Sequence, residues 1–471
     1  MKNVEDVVQW VNNLIVDKTG EHLTPIQEAI LTGVWQRQKY PQIAKEFNCS
    51  ESHVKKEAAK LWEKLGEELG EDLKKFNFRS KLEKKHRFSQ DSNLGCCVQI
   101  NEGSINIGDE WLHSLKKLQQ RSPSPPDSPQ NNARSPIIDL TDAPELTGYY
   151  DSPSGDSFAS RTSELSTLKQ WILQANTRLI IIYGLSGIGK SALALKLIEQ
   201  TQTEFDYIIW VSLTNTPTLS TLQTELKQFF GRAPQPPLPT VIDYFRSSRC
   251  LVILDDVQNI FSSSQLAGQY LAGYEDYGKF FKQIATSSHQ SSLILLSWEK
   301  PKEIANLEAE NFSTRSLHLK GLGEKSAGIL REKELADEEK WSDLIDLYQG
   351  HPSWLHIIAA TLLELFNGSV SQFLADGTDL FLGDLEPLLE SHLERLSESE
   401  KKVGYWLATQ NEAVDISQQP ADSELSKSEF WQAIQSLARR SLVEKVLVGG
   451  RSMFFLHPVF KAYIQCKLNL I

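Results

Sequence analysis

The chain has 471 residues, with 61 acidic against 49 basic side chains and a formal net charge of −12. At 40 % apolar and 23 % charged it is composed as a globular chain of about three domains, which excludes a disordered or fibrous one. No run reaches the ~18 apolar residues of a membrane span, the N-terminus lacks a basic-then-apolar signal pattern, and five Cys without a C-x-x-C pair argue against a disulfide framework or a zinc site; the expected location is a reducing cytoplasm, with no membrane partner.

Charge is uneven along the chain. Residues 1–90 carry a net +2 and the remainder a net −14, which suggests separate modules. In the first module, Thr24 stands at an N-cap position with Pro25 at the first helical position and Glu28 close behind. Ile26, Ala29, Ile30, Val34 and Trp35 then follow helical spacing. Ile43, Ala44 and Phe47 mark a second apolar face, and Val54, Ala58, Leu61 and Leu65, behind a cap at Ser50, mark a third. Two such faces joined by a tight turn predict a helix-turn-helix, and the module resembles the tri-helical domains of bacterial response regulators and those ahead of nucleotide-switch modules. Glu51, Ser52, His53, Lys55, Lys56 and Lys60 would lie on its outer face. That face could enter a major groove or dock a protein; Glu51, Glu57 and Glu63 would repel phosphate, so DNA is not the favoured partner. The basic residues 72–87 read as a solvated helix end or as a patch for phosphate or an acidic partner. Residues 88–157 are rich in Ser, Pro and Asn and are expected to form a flexible tether.

The segment RLIIIYGLSGIGKSALALKLIEQ carries the chemistry. A buried strand over residues 179–183 runs into a complete G-x-x-x-x-G-K-S and then a helix. Glycines let the backbone wrap a phosphate with its N–H groups inward, and the helix N-terminus adds its positive dipole end. The expected binding residues are Gly184, Leu185, Ser186, Gly187, Ile188, Gly189, Lys190, Ser191 and Ala192, with Lys190 on the β- and γ-phosphates and Ser191 on Mg²⁺. A second strand, RCLVILDDV, ends in two carboxylates: Asp255 for the Mg²⁺ shell and Asp256 to orient or deprotonate an attacking water. FDYIIWVSL and SSLILLSWEKP supply further buried strands. The predicted core is therefore an α/β P-loop NTPase, a parallel sheet with helices on both faces.

The order of these motifs resembles NB-ARC proteins, the STAND class of P-loop switch ATPases that includes apoptosome and plant-resistance proteins. FASRTSELSTLKQWI resembles the leader whose arginine, here Arg161, helps hold the nucleotide; Ser160 replaces its usual glycine. At the end of LILLSWE the Thr/Ser–Arg pair that senses the terminal phosphate becomes Ser297 and Trp298. Trp cannot donate a charge-assisted hydrogen bond. QGHPSWL resembles the Gly-Leu-Pro-Leu motif, with His351 in place of leucine, so that Pro352 inherits a place against adenine. FFLHPVF resembles the Met-His-Asp segment, with His457 facing the β-phosphate and Pro458 in place of aspartate. The resemblance implies a helix-turn-helix domain at 1–87, a linker at 88–157, a nucleotide-binding core at 158–300, a helical lid at 301–382 and a winged-helix domain at 383–471.

The function it implies is an ADP/ATP switch, at most a slow Mg²⁺-dependent ATPase. Nucleotide exchange would open the domains and expose a surface for self-association as a homo-oligomer. A protein partner would be met through residues 1–87 and the linker. Relatives often carry sensor repeats after the winged helix, where this chain reaches Ile471, so the trigger is expected from a partner or the N-terminal arm. The alternatives are a nucleotide-gated DNA-binding regulator and a P-loop enzyme such as a kinase.

Overall fold

The computed structural model of the chain falls into two compact units, residues 1–105 and 106–471. It describes residues 136–144 and 161–469 apart from 233–235, 311–312, 377–379 and 421–422, and in the first unit residues 11, 23–35, 43, 54–58, 60, 61 and 65.

In the first unit, helix α1 (Pro25–Trp35) begins at the expected proline. Its cap is closed by Gln27 rather than Glu28. Thr24 Oγ1 accepts the Gln27 N–H at 3.4 Å and the Thr24 N–H donates to Gln27 Oε1 at 3.1 Å, because Gln27 occupies the third helical position. Ile30, Leu31, Ile43, Val54, Ala58, Leu61 and Leu65 are buried. Lys55, Lys56 and Lys60 are exposed, and Lys60 pairs with Glu57 at 2.9 Å. Ala44, Phe47, Ser50, Glu51, Ser52, His53, Glu63 and residues 72–87 lie outside the described residues.

The second unit is built on a six-stranded sheet of β1 (Ile137–Asp139), β2 (Leu179–Tyr183), β3 (Tyr207–Ser212), β4 (Cys250–Asp255), β5 (Ser292–Ser297) and β6 (Thr314–His318). All pairings are parallel, in the order β1-β3-β4-β5-β2-β6. The four central strands are near-continuous apolar runs because both faces are covered. Ile181, Ile209, Val252 and Leu293 face one layer, α4 (Leu219–Phe230), α5 (Val241–Ser247) and α6 (Asp276–Thr286). Ile180, Ile208, Leu251 and Ile294 face the other, α2 (Thr162–Lys169) and α3 (Lys190–Thr201). Each fully buried Ile or Leu contributes about 1.5–3 kcal/mol by leaving water.

The sheet is wider than the predicted core at 158–300. Ile137–Asp139 lies in the stretch read as a tether, yet it pairs with Tyr207–Ile209 as an edge strand. Asp139 anchors it, accepting from Thr141 Oγ1 at 2.6 Å and pairing with Arg232 at 2.7 Å. At the other edge, β6 pairs with β2 beyond residue 300. Both strands are half-exposed, so neither carries the apolar run that marks a buried strand.

Helix α7 (Lys302–Ala309) precedes β6, and beyond that strand come α8 (Ala327–Glu332), α9 (Trp341–Leu347), α10 (Pro352–Phe366), α11 (Val370–Asp376), α12 (Glu386–Leu393), α13 (Glu398–Thr409) and α14 (Lys427–Arg439). A three-stranded antiparallel sheet of β7 (Val414–Asp415), β8 (Val443–Val448) and β9 (Arg451–Leu456), in the order β7-β9-β8, and α15 (Pro458–Asn469) complete the unit. One apolar core runs through these C-terminal elements and takes in Leu185 from the loop after β2. Among the described residues, no helix is long and apolar enough to cross a membrane.

Candidate functional site

Strand order brings the site together. Because only β5 lies between β4 and β2, the loop after β2 and the carboxylates at the end of β4 come together at the C-terminal edge of the sheet, on either side of that one strand. The loop needs its glycines. Gly184 has φ +155° and a Cβ there would come within 2.5 Å of the Leu319 carbonyl oxygen; Gly187 has φ +76°, and a Cβ there would collide with the Ser353 side chain. Gly189, left-handed at φ +100°, caps α3, whose first residue is Lys190.

Lys190 is buried and folds back on the loop, its Nζ donating to the Gly184 and Leu185 carbonyls at 3.0 and 2.9 Å. Burial pulls its pKa down to about 8 against the opposing pull of Asp255 and Asp256. Ser191 Oγ donates to Asp255 Oδ2 at 3.0 Å. Burial, then the neighbouring Asp256, pushes the Asp255 pKa up to about 6, although the Asp256 N–H and Ser191 both donate to it. Asp256 itself sits at φ +57° with its carboxylate engaged by Thr214 Oγ1 at 2.8 Å, Gln258 Nε2 at 2.9 Å and Ser212 Oγ at 3.5 Å. Arg161 is buried and braces the loop from outside: Nη2 donates to the Ile188 carbonyl at 3.0 Å and the Lys320 carbonyl at 2.7 Å, while Nη1 pairs with Glu164 at 2.8 Å.

A cavity of about 290 Å³ opens beside the loop. Leu185 and Ile188 line one wall, Leu319 to Gly321 another, and Gly350, His351, Glu444 and His457 close it from the C-terminal elements. Pro352 does not line it; buried as the first residue of α10, it follows Gly350 and His351, which do. His351 caps α10 by accepting the Trp354 N–H at 3.4 Å and stacks on Trp354 at 3.9 Å. His457 is buried, its pKa pushed down to about 4 by that burial, and its Nδ1 has no hydrogen-bond partner among the described residues. His457 lines the cavity, and a buried polar atom without a partner is costly unless a ligand satisfies it.

Sequence reasoning missed two groups that close on the loop. His392 of α12 accepts the Ser186 N–H through Nε2 at 3.2 Å. Its ring lies 4.6 Å from that of Trp298. Ser353 Oγ donates to the Gly187 carbonyl at 2.8 Å. His392 sits among Leu389, Leu393 and Leu396, where a lone His on an apolar face carries no signal of its own. The nearest hint for Ser353 was its place beside the Gly-x-Pro stretch.

The sequence model of the NB-ARC domain matches residues 161–266, which hold Arg161, the glycine loop, Lys190, Ser191, Asp255 and Asp256. That stretch of the chain is similar to an NB-ARC domain. Ahead of it, residues 2–85 match the model of the vWA-MoxR associated protein N-terminal HTH. Over 346 residues the chain is 37 % identical to an uncharacterized WD repeat-containing protein of Nostoc sp. (strain PCC 7120). That alignment takes in 68 % of this chain and 27 % of the relative, so the chain spans about a quarter of the relative's length. Among solved structures, a signal transduction ATPase with numerous domains and a tetratricopeptide repeat sensor from Pyrococcus horikoshii is similar at 17 % identity and a TM-score of 0.32, over 65 % of this chain and 42 % of that one. The ORC2 protein of Aeropyrum pernix, solved as ADPNP and ADP complexes, is similar at 17 % identity and a TM-score of 0.37, over 69 % of this chain and 96 % of that one.

The residues of the matched stretch fit a nucleotide with Mg²⁺. The turned loop amides and Lys190 suit a phosphate chain, and the Ser191–Asp255 pair offers the hard oxygens that Mg²⁺ takes.

Proposed function

We propose that the chain is a nucleotide-controlled switch of the NB-ARC kind. The reading is carried by one observation: the phosphate loop is faced by the C-terminal helices as well as by its own sheet. Ser186 reaches His392, Gly187 reaches Ser353, and Leu185 sits in the C-terminal apolar core. A ligand that fills the loop therefore bears on how those helices sit, and it shifts that balance by its differential affinity for the two arrangements.

In this reading the loop amides from Gly184 to Ala192 and Lys190 bind the phosphates, and Arg161 stiffens the loop from behind. The cavity by Gly350 and Glu444 takes the nucleoside. His457 Nδ1 turns to the β-phosphate side. A bound Mg²⁺ supplies charge neutralisation at the terminal phosphates. Ser191 and Asp255 hold its place, and Asp256 orients the attacking water. Hydrolysis is slow, since Trp298 brings no cation to the terminal phosphate. The lid and winged helix are assigned to 301–382 and 383–471, the open form self-associates, and residues 1–87 serve as the docking arm.

Lys190→Ala tests the assignment. Removing the buried ammonium from the phosphates should lower Mg-ADP affinity by two orders of magnitude or more in calorimetry; unchanged affinity contradicts it.

A further inference from the structure

Resting on the reading that the loop binds nucleotide, we propose that His392 measures the length of the phosphate chain: its imidazole holds the Ser186 N–H when two phosphates are bound and must surrender it when a third arrives. Three observations place it there. A loop amide of the kind that points at phosphate has its hydrogen bond taken by His392 Nε2 at 3.2 Å. The ring lies against Trp298 at 4.6 Å, directly after β5, the strand between the loop's β2 and the Asp255 strand β4. His392 thus stands where loop and carboxylate strand converge. The α3 amides hold the nearer phosphates and Lys190 reaches the outer ones, so a third phosphate extends toward this place.

The chemistry makes His392 and a terminal phosphate alternatives. Nε2 accepts from an N–H, so it carries a lone pair and no proton. Burial, with the positive charges of Lys190, Arg395 and Arg440, presses the His392 pKa down to about 3 and keeps the ring neutral. A lone pair and a phosphate oxygen compete for one N–H and repel each other. Displacing the ring also disturbs the end of α12, where Arg395 Nη2 pairs with Glu299 and donates to the Gln258 carbonyl, both at 2.9 Å. The third phosphate thereby acts on the joint between sheet and C-terminal helices. At the position where a sensing arginine would favour the triphosphate, this chain places a ring pair that favours the diphosphate.

Calorimetry on the full chain, stripped of nucleotide, compares Mg-ADP with a Mg-bound non-hydrolysable ATP analogue. The wild type should favour ADP. His392→Ala should move the ratio of the two dissociation constants about tenfold toward the triphosphate, the scale of one contested hydrogen bond to an ionised acceptor. His392→Gln, which keeps an acceptor for the Ser186 N–H, should hold the ratio near wild type. An equal change for both nucleotides, no change, or a Gln variant that behaves like Ala overturns the proposal. If the Ala variant fails to fold, His392→Asn, too short to reach Ser186, carries the same expectation and the same refutation. Wild-type protein that binds neither nucleotide sinks the switch reading as well; wild-type binding with an unmoved ratio sinks the His392 proposal alone.

Discussion

At Asp255 a carboxylate is kept where its charge is disfavoured. Burial raises its pKa from 3.8 to about 6, with Asp256 adding to the rise and hydrogen bonds from Ser191 and the Asp256 N–H opposing it. Between those two values the unfolded chain has released the proton while the folded chain retains it, so folding stability falls as pH rises through that window. Asp255→Asn keeps the shape and removes the ionisation. In the absence of nucleotide and Mg²⁺, the Asn variant should melt above the wild type at pH 7, with the gap closing below about pH 4. A gap that does not vary with pH would show that Asp255 is not the group responsible. The same variant should weaken any Mg²⁺ dependence of nucleotide binding, since it removes the anionic oxygen.

The elements meet along a buried ionic seam. Glu299, next to the end of β5, is 1 % exposed and pairs with Arg395 after α12 and with Arg440 after α14. Arg440 Nε also pairs with the fully buried Glu400 of α13 at 2.9 Å, and Glu400 accepts from Ser436 at 2.6 Å. Around them, amides cross from the sheet side to the C-terminal helices: Lys300 N–H to the Arg439 carbonyl at 3.0 Å, Ser264 N–H to the Arg395 carbonyl at 3.0 Å, and Ala267 N–H to Ser436 Oγ at 2.7 Å. Removing one member of a buried charge network leaves others unpaired, at about 3–5 kcal/mol. Glu299→Ala should therefore speed exchange of the Lys300, Ser264 and Ala267 amides by about a hundredfold or more while amides of β3 and β4 stay protected. Equal protection before and after the change would mean that the seam does not hold the helices to the sheet. None of these charges stands out in the sequence. Glu299, Glu400 and Arg440 look like surface residues until tertiary packing buries them, whereas the Leu179–Tyr183 strand and the glycine loop declare themselves through local pattern. The edge strands β1 and β6 stayed hidden for the opposite reason, being half-exposed and so without an apolar run.

Over the whole molecule, the phosphate end of the site was legible because backbone geometry demands glycines, a lysine and a hydroxyl at fixed spacing. His351 and His457 were legible only through the family resemblance, and His392 and Ser353 not at all, because they reach the loop only through the fold. If the loop binds nucleotide as proposed, a tightly held one survives purification. The direct measurement is to purify the full-length protein without added nucleotide, denature it, and identify and count what it releases by mass spectrometry. The account predicts an adenine nucleotide, chiefly ADP, or an emptied site that takes up ADP with Mg²⁺ when it is offered. Protein that releases none and binds neither ADP nor ATP would contradict it.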